Sequence, residues 1–306
     1  MNFSHSIKQK AFELGFSKIG FAKAQFYEQD KTNLNYWLDN GYHGSMDWIS
    51  RRRDEKSDIF KYYPNAKSVI SVALNYFTGY SKDYFSNHKI SNYAWGDDYH
   101  TLLKSKLYTL LDYIKNFDSN LNGICCVDTS PISEKVWAQR AGLGWIGKHT
   151  NLITKDFGTW VFLGEIVTDF ELNYDKMFTT NLCGSCTACI EACPTDAIIG
   201  DYKLDANKCI SYQTIENRKE IPNEFIGKMD DWIYGCDICQ EVCPWNHRFS
   251  IISDETSFKP REFLKNNDIN FIYNLNQEEF SKFFKNSAMK RTKHTGLKRN
   301  IDFLKN

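Results

Sequence analysis

Eight of the ten cysteines in this chain of 306 residues lie between positions 183 and 243, and their spacing limits the possible folds more than any other feature. The first run is Cys-x2-Cys-x2-Cys-x3-Cys-Pro, the spacing that surrounds a [4Fe–4S] cluster. Two-residue gaps let three successive thiolates curl around one compact cluster, whereas the cysteine before proline binds a second cluster. The run comprises Cys183, Cys186, Cys189 and Cys193, followed by Pro194. A second set of ligands is therefore expected elsewhere in the chain.

The second set begins at Cys236, where the chain repeats the later part of the pattern as Cys-x2-Cys-x3-Cys-Pro. Ile233 stands where a full run would have its first cysteine, and Cys209 is the only cysteine between the two runs. If the sites exchange the two cysteines that precede proline, both sites are complete. The pattern thus predicts one [4Fe–4S] cluster held by Cys183, Cys186, Cys189 and Cys243, and another held by Cys193, Cys209, Cys236 and Cys239.

Zinc and disulfides are the alternative uses of these cysteines. Structural zinc sites are closed by four nitrogen or sulfur ligands and usually contain two Cys-x2-Cys pairs, which interlocked triplets ending in Cys-Pro match poorly. A disulfide framework needs an oxidising compartment, yet residues 1–30 show no basic segment followed by an apolar core and a cleavage site. The remaining pair, Cys125 and Cys126, lies in an apolar run and is predicted to be buried strand residues without chemistry.

Charge is unevenly distributed along the chain although the total is balanced, with 38 Lys or Arg against 38 Asp or Glu. Residues 282–306 contain eight Lys or Arg and one Asp, a net charge of +7. Such a run is typical either of a solvated face or of a nucleic-acid contact, and both interpretations stay open here. No apolar stretch approaches the roughly 20 residues that span a bilayer. We therefore expect no membrane association, and iron bound by thiolates favours a cytoplasmic location.

Hydrophobic periodicity predicts an α+β protein. Helices are predicted around 5–16 and 97–117, strands at 66–77, 123–127 and 159–169, and a short helix between the last two strands. The stripe in the longer helix, predicted to face the core, consists of Leu103, Leu107, Leu110, Leu111 and Ile114. This alternation favours an α/β sandwich over residues 1–170. A linker at 171–181 opens the cysteine-bearing domain, 171–249, and short helices are predicted over 250–306.

The segment 127–153 has the densest set of polar and glycine residues outside the cysteine runs. Ser130 and Pro131 predict a helix start, since serine caps free amides and proline suits the first helical position. Asp128 would then lie at the carboxyl end of a strand, the edge where open α/β sheets bind ligands. The alternative is that Asp128 only complements the charge of the helix N-terminus.

Three glycines in this segment match the pattern G-x-G-x-x-G. They are Gly142, Gly144 and Gly147. A dinucleotide-binding fingerprint should follow a strand and open a helix, whereas this one follows a helix. We interpret the glycines as a tight loop that lets the backbone approach a bulky ligand.

Four features together resemble one enzyme family, epoxyqueuosine reductase, which completes the queuosine base of tRNA. They are the sequence DDYH at 97–100, the segment 128–153, the two cysteine runs and the basic segment 287–300. The resemblance covers nearly the whole chain. Longer members continue into a helical-repeat segment, so the chain resembles a short form that lacks this extension.

The resemblance implies that residues 1–170 bind cobalamin, that 171–249 form a ferredoxin-like domain with two [4Fe–4S] clusters, and that 250–306 form a basic helical segment. Reduced through the clusters, the cobalamin would convert epoxyqueuosine to queuosine at the tRNA wobble position. The segment from Asp98 has His100 but Leu103 where a corrinoid-binding motif has glycine, as expected for a family that binds cobalamin without a histidine ligand.

By the same resemblance Asp128 donates a proton to the departing oxygen, and burial beneath the corrin would raise its pKa. Glu134 competes for this role but is expected to face solvent or to pair with Lys135 or Arg140. The implied cobalamin contacts are Arg52, Arg53, Lys148, His149, Thr150, Asn151, Ser211 and Gln213. For Arg52 and Arg53 a solvated basic turn is an equal alternative. The implied contacts to tRNA phosphates are Lys290, Arg291, Lys293, Lys298 and Arg299.

The expected partners are the anticodon stem-loop of tRNA and an unidentified electron donor, and the protein is expected to be a cytoplasmic monomer. Two other functions stay open. A corrinoid reductive dehalogenase-like enzyme would share the cobalamin and the two clusters, but the N-terminus shows no twin-arginine export signal. An electron-transfer module of a larger complex would use the clusters alone. Cobalamin binding discriminates between this module and the reductase.

Overall fold

The structure is a computed structural model that describes residues 3–85 and 87–305. The predicted helices around 5–16 and 97–117 are confirmed as the first and sixth helices. In chain order the helices are α1 Phe3–Glu13, α2 Glu28–Asp39, α3 Asp47–Ser50, α4 Arg53–Ser57, α5 Ile59–Tyr62, α6 Tyr99–Lys115, α7 Glu134–Arg140, α8 Ala188–Glu191, α9 Ile210–Ile215, α10 Ile238–Glu241, α11 Pro244–Phe249, α12 Glu262–Lys265, α13 Ile269–Asn274, α14 Gln277–Phe283 and α15 Lys293–Leu304.

Three of the strands were predicted, at 66–77, 123–127 and 159–169, and these are β2, β4 and β7 of the structure. In chain order the strands are β1 Lys18–Lys23, β2 Ser68–Asn75, β3 Lys89–Ile90, β4 Gly123–Cys126, β5 Trp145–Ile146, β6 Leu152–Ile153, β7 Val161–Thr168, β8 Ile198–Gly200, β9 Lys203–Leu204 and β10 Trp232–Tyr234. Sequence analysis missed β1, whose six residues lack strong alternation between polar and apolar positions.

The main sheet has the strand order β1-β2-β7-β4, and every neighbouring pair is antiparallel. All eight residues of β2 and seven of the eight in β7 are buried, as expected for central strands covered on both faces. The alternation of helices and strands was predicted correctly, and Asp128 does follow the carboxyl end of a strand, β4. The inference that this end is a ligand-binding edge does not apply, because the strands of this sheet are antiparallel. That edge is a property of parallel strands.

Helices cover both faces of this sheet. The predicted apolar stripe of α6 is buried throughout, and Leu107 packs where β7 has Gly164, since a Cβ at that glycine would lie 3.0 Å from Leu107 Cδ1. On the opposite face Trp137 and Ala138 of α7 share a buried cluster with Val69 of β2. This arrangement fixes the start of α7, and the loop before it, against the sheet.

The chain forms two compact units, each of which combines distant segments. The first contains the segment ending at Gly41 together with Asp47–Asn75 and His100–Cys186, and the second contains Tyr42–Met46, Tyr76–Tyr99 and the chain from Thr187 onward. The segment before α6 belongs to the second unit because Ile90 and Trp95 share a core with Ile233 and Phe284. The division into 1–170, 171–249 and 250–306 along the chain stays a prediction.

The second unit is built mostly from short helices and small strand pairs. β3 and β10 form a parallel pair, and β8 and β9 form a hairpin. Apolar residues of α13, α14 and α15, among them Ile272, Phe280 and Ile301, are buried in one cluster with Tyr234. Within residues 3–85 and 87–305, no helix is both long and apolar enough to cross a membrane.

Candidate active site

Asp128 occupies an exposed loop directly after β4. Its backbone has φ +51°, a left-handed conformation that is uncommon outside glycine, although aspartate tolerates it. Its side chain is 55% exposed, and Oδ2 lies 3.1 Å from Nε2 of His100, the second residue of α6. The loop therefore presents a carboxyl group and an imidazole side by side to the surroundings.

The helix that follows this loop begins at Glu134, not at Ser130 and Pro131. The predicted helix start was therefore wrong, and Ser133, which occupies the N-cap position, makes no hydrogen bond from its side chain. The Glu134 carboxylate instead accepts a hydrogen bond from the backbone N–H of Asp128. This bond closes a loop of five intervening residues between the strand end and the helix start.

Glu134 does not pair with the residues expected from sequence. Arg140 pairs with Asp30 at 2.7 Å, and Lys135 donates a hydrogen bond to Asn151. The Glu134 carboxyl group turns toward the protein, where burial raises its pKa to about 7; the nearby charge of Asp128 adds to this rise, and the hydrogen bond from Asp128 opposes it. The expectation that Glu134 faces solvent was wrong because the helix start lies against the sheet.

A second carboxyl group, Glu165 of β7, is fully buried on the same side of the site. Both of its carboxyl oxygens lack a hydrogen-bond partner within the described residues. Burial, followed by the charge of Glu134, raises the pKa of Glu165 well above its ordinary value, and Lys56 opposes that rise. Burial in turn lowers the pKa of Lys56, whose ammonium donates to the carbonyl of Ile132 at 3.0 Å.

Sequence analysis missed Glu165 and Lys56. A signal for Glu165 was present, since it is the one charged residue in the eight-residue strand Val161–Thr168. A lone carboxyl group in an otherwise apolar, β-branched strand indicates a buried ionisable side chain. Lys56 carried no such signal because it lies among charged neighbours in the sequence RRRDEK at 51–56.

The predicted cofactor contacts at 148–151 form the tip of the β5–β6 hairpin. Lys148 and His149 are buried, and His149 Nδ1 accepts a hydrogen bond from the backbone N–H of Asn151 at 3.1 Å. Burial, and then the charge of Lys135, lower the pKa of His149 to about 4. The ring is therefore neutral near pH 7, and its Nε2–H is a buried donor without a partner in the described residues.

The three glycines before this hairpin are explained mainly by packing within the chain. Gly142 ends α7 with φ +78°, the left-handed conformation that favours glycine at a helix C-terminus. A Cβ at Gly144 would lie 2.0 Å from the carbonyl oxygen of Ile153, and one at Gly147 would lie 2.6 Å from Ile153 Cδ1. At these two positions the interpretation of an approach to a ligand was wrong, because the neighbour is the hairpin itself.

Three of the other four predicted cofactor contacts already have partners in the protein. Arg52 makes two hydrogen bonds to Glu55, at 2.5 and 3.0 Å. Arg53 pairs with Asp39 at 2.7 Å. In the second unit Ser211 and Gln213 lie on α9, and buried Gln213 donates to the carbonyl of Asn207 at 2.6 Å and accepts from Asn217 at 2.7 Å.

No disulfide joins any two of the ten cysteines, all of which lie in the described part of the chain. Five of those in the second unit interact electrostatically: burial raises the pKa of Cys239, and so do the charges of Cys209, Asp237, Cys189 and Cys193, in that order. Burial and the thiols of Cys239 and Cys209 likewise raise the pKa of Cys236. The cysteines predicted to bind the second cluster thus share one neighbourhood. Cys183 and Cys186 belong to the end of the first unit.

Asp237 fixes the loop between two of these cysteines. Its buried carboxyl group accepts hydrogen bonds from Ser91 Oγ at 2.6 Å, the backbone N–H of Asn92 at 2.7 Å and Gln240 Nε2 at 3.0 Å. Burial raises its pKa to about 7, and the bonds from Ser91 and Asn92 oppose the rise. The segment 76–99 therefore anchors the second cysteine run directly.

Residues of the basic segment differ in how far they are bound by the protein. Arg299 donates to the carbonyl oxygens of Asn217 and Gln213, each at 2.7 Å, and burial lowers its pKa. Arg291 makes two hydrogen bonds to Glu216 at 2.9 and 2.8 Å. Lys298 lies 4.8 Å above the ring of Tyr273. The exposed members are Lys290, Arg291 and Lys293.

Comparison with known families first defines the class of this protein. A family model described as 4Fe-4S double cluster binding domain matches residues 182–246, which contain all eight cysteines assigned to the predicted clusters. The chain therefore carries a double-cluster iron–sulfur domain. The prediction of a [4Fe–4S] region, rather than zinc or disulfides, is confirmed at this level.

The particular family follows from the rest of the chain. A second model, epoxyqueuosine reductase QueG, DUF1730, matches residues 56–129. An epoxyqueuosine reductase of Cellulophaga algicola is 46% identical over 302 residues, which cover 99% of this chain and 98% of that protein. The chain belongs to the epoxyqueuosine reductase family, as its motifs predicted.

Solved structures agree with this assignment. An epoxyqueuosine reductase bound to an epoxyqueuosine-modified tRNA-Tyr stem loop is similar with a TM-score of 0.87 and 27% identity, over 98% of this chain and 80% of that one. A Bacillus subtilis epoxyqueuosine reductase is similar with a TM-score of 0.88 and 27% identity, over 98% of this chain and 80% of that one. In that structure the catalytic loop with its aspartate is swung out of the active site.

Proposed function

We propose that this protein reduces epoxyqueuosine to queuosine in tRNA. The observation that carries the proposal is the 46% identity to an epoxyqueuosine reductase over 99% of the chain. A relative with the same fold binds an epoxyqueuosine-modified stem loop. The reaction opens the epoxide, breaks both carbon–oxygen bonds, forms an alkene and releases water, and it consumes two electrons and two protons.

Asp128 is the proposed proton donor. An alkoxide is a poor leaving group, so the oxygen must gain a proton as its bond to carbon breaks. The exposed carboxyl group beside His100 supports this role, because it is accessible from outside the protein. The raised pKa that the role requires stays a prediction, and we expect it to arise when bound cofactor and substrate cover the loop.

The two clusters are the proposed path of the electrons. We assign Cys183, Cys186, Cys189 and Cys243 to one cluster and Cys193, Cys209, Cys236 and Cys239 to the other. The electrostatic interactions among Cys209, Cys236 and Cys239 support placing these three in one set. The tight anchoring of Asp237 supports a rigid loop around that cluster, as electron transfer requires little reorganisation of the ligands.

Cobalamin is the second cofactor that the family implies, and the hairpin loop at 148–151 fits it. His149 offers a buried Nε2–H without a partner, a donor suited to an amide or phosphate oxygen of the cofactor. We propose that His149, Lys148 and Asn151 hold it, with Thr150 at the loop tip. When bound, cobalamin supplies electrons of low potential. Arg52, Arg53, Ser211 and Gln213 stay predicted contacts, and three of them would first exchange a partner in the protein.

The basic segment is the proposed contact to the tRNA backbone. Exposed Lys290 and Lys293 are free to meet phosphates with their charges, whereas Arg299 is bound to carbonyls within the protein. Arg291 and Lys298 would contribute from positions beside Glu216 and Tyr273. The substrate base is expected to leave the loop of the stem, as bases read by proteins usually do. We further propose a cytoplasmic monomer served by a separate electron donor.

Conversion of the modified nucleoside in isolated tRNA tests the proposal. Protein reconstituted with iron, sulfide and cobalamin should convert epoxyqueuosine to queuosine, measured by mass spectrometry of the digested tRNA. Asp128→Asn should abolish turnover while leaving iron content and cobalamin binding unchanged. Protein that binds both cofactors yet leaves epoxyqueuosine intact would contradict the function, and an Asp128→Asn variant with full turnover would contradict the proton donor. Protein that holds iron but no cobalamin would favour an electron-transfer module.

A further inference from the structure

The backbone of Asp128 is held by a side chain from the next helix. The Glu134 carboxylate accepts the Asp128 N–H, and Asp128 itself has the left-handed φ of +51°. This conformation is uncommon for a residue with a Cβ, although aspartate adopts it more readily than most. A hydrogen bond to a carboxylate is among the stronger ones available to a backbone amide. The bond therefore fixes an uncommon backbone conformation at the residue that carries the proposed chemistry.

Glu134 is well placed to act as an anchor because its helix is fixed in the core. Trp137 and Ala138, one turn further along α7, are buried against the sheet. Asp128, in contrast, is exposed. The hydrogen bond thus joins an exposed loop to a helix that is fixed in the core.

The surroundings of Glu134 contain titratable groups from four elements and from the Asp128 loop. Lys56 of α4 and His100 of α6 favour its ionised form, whereas Asp128 disfavours it. Glu165 of β7 and Cys126 of β4 interact with it electrostatically. In either protonation state one carboxyl oxygen of Glu134 can accept the Asp128 N–H.

We propose that Glu134 is a positioning residue, which holds the Asp128 loop in its reactive arrangement by accepting the Asp128 N–H, while Asp128 alone meets the substrate. The inference rests on the proposed role of Asp128 as proton donor. In this role Glu134 only accepts a hydrogen bond and transfers no proton to the substrate.

Two substitutions separate this role from proton donation. Glu134→Gln keeps an acceptor oxygen at the same place but removes the acidic proton. Glu134→Ala removes both, and Glu134→Met removes both while it retains the volume of the side chain, which keeps the test valid if the alanine variant does not fold. Glu28→Ala, at the exposed first residue of α2, is the matched control.

Hydrogen exchange of the Asp128 amide tests the contact without any substrate. In protein that holds both clusters, we expect Glu134→Ala and Glu134→Met to speed exchange of this amide by about tenfold or more, since a protected amide exchanges only after its hydrogen bond opens. Glu134→Gln and Glu28→Ala should leave its exchange nearly unchanged. Unchanged protection in the alanine and methionine variants would overturn the proposal.

Single-turnover reduction of epoxyqueuosine in tRNA then tests the consequence. We expect Glu134→Ala and Glu134→Met to lower the rate of the chemical step by about 10- to 100-fold with little change in tRNA affinity, because a misplaced catalytic group costs rate rather than binding. Glu134→Gln should stay close to the wild type. A glutamine variant that keeps its amide protection yet reacts as slowly as the alanine variant would overturn the positioning role. Failure of the wild type to convert epoxyqueuosine would instead contradict the proposed function, and the exchange result would still stand.

Discussion

The two compact units treat buried carboxyl groups in opposite ways. In the second unit Asp237 accepts three hydrogen bonds, from Ser91, Asn92 and Gln240. In the first unit Glu165 is equally buried, yet neither of its oxygens has a partner within the described residues. A buried polar group without hydrogen bonds is costly. The arrangement around Asp237 therefore stabilises the fold, whereas that around Glu165 does not.

This difference teaches where each unit places its function. Asp237 fixes the loop between two predicted cluster ligands, and a complete set of hydrogen bonds suits a rigid metal site. Burial raises the pKa of Asp237, Glu165 and Glu134 alike. Of these three groups only Glu165, beside Glu134 and the Asp128 loop, lacks hydrogen-bond partners in the described residues. Incompletely satisfied ionisable groups collect at sites that act on protons rather than at sites that only hold their shape.

The largest effect is expected at Asp237. Asp237→Ala removes the acceptor for three donors, so the free energy of unfolding of the second unit should fall by about 3–5 kcal/mol. Denaturant unfolding of the anaerobic protein, with iron content measured in parallel, checks the value. Asp237→Asn, which keeps one acceptor oxygen, should lose less. If the alanine variant is as stable as the wild type, the three bonds are not what holds this loop.

Glu165 should respond in the opposite direction. Glu165→Leu replaces an unpartnered polar group by an apolar one of similar size, so we expect the first unit to gain about 1–3 kcal/mol. Glu165→Gln, which leaves polar atoms buried, should show no such gain. Hydrogen exchange of the β7 amides measures both. Destabilisation by leucine comparable to that of Asp237→Ala would erase the contrast between the units.

The pH dependence of stability sharpens the same contrast. Glu134 has a folded pKa of about 7, above the value of 4.5 for a free side chain, so the folded protein keeps a proton that the unfolded chain has released. The contribution of Glu134 to the free energy of unfolding is therefore fully present below about pH 4.5 and is lost as the pH rises through about 7. We expect the first unit to lose about 1–3 kcal/mol over this range. The exchange of β7 amides at several pH values checks it, and Glu134→Gln should flatten the dependence.

The smallest effect is expected from exposed charge in the second unit. Lys290→Ala and Lys293→Ala should each weaken tRNA binding a few-fold without loss of stability. Each should also reduce the slope of log Kd against the logarithm of the salt concentration by about one. Arg299→Ala should instead lower stability, since this side chain donates to internal carbonyls. Filter binding at several salt concentrations, with thermal unfolding in parallel, separates the two kinds of residue. A stability loss in the lysine variants would show that they too are structural.

Local patterns in the sequence predicted a large part of this protein. The apolar stripe of α6 and the strands β2, β4 and β7 were predicted because their periodicity lies within one segment. The helix start near Asp128 was not, because Ser130 and Pro131 form a good local signal that the packing of α7 overrides. The antiparallel order of the sheet was also missed, since strand pairing joins segments far apart in the chain.

The sequence by itself determined the iron–sulfur chemistry and the family. Cysteines separated by two or three residues must lie close together in space, because the covalent chain limits the distance between them. Only the tertiary structure decided that Glu134 holds the Asp128 backbone and that Glu165 and Lys56 share its surroundings. These side chains come from separate elements, and their protonation depends on burial, which arises only when the sheet and its helices pack together.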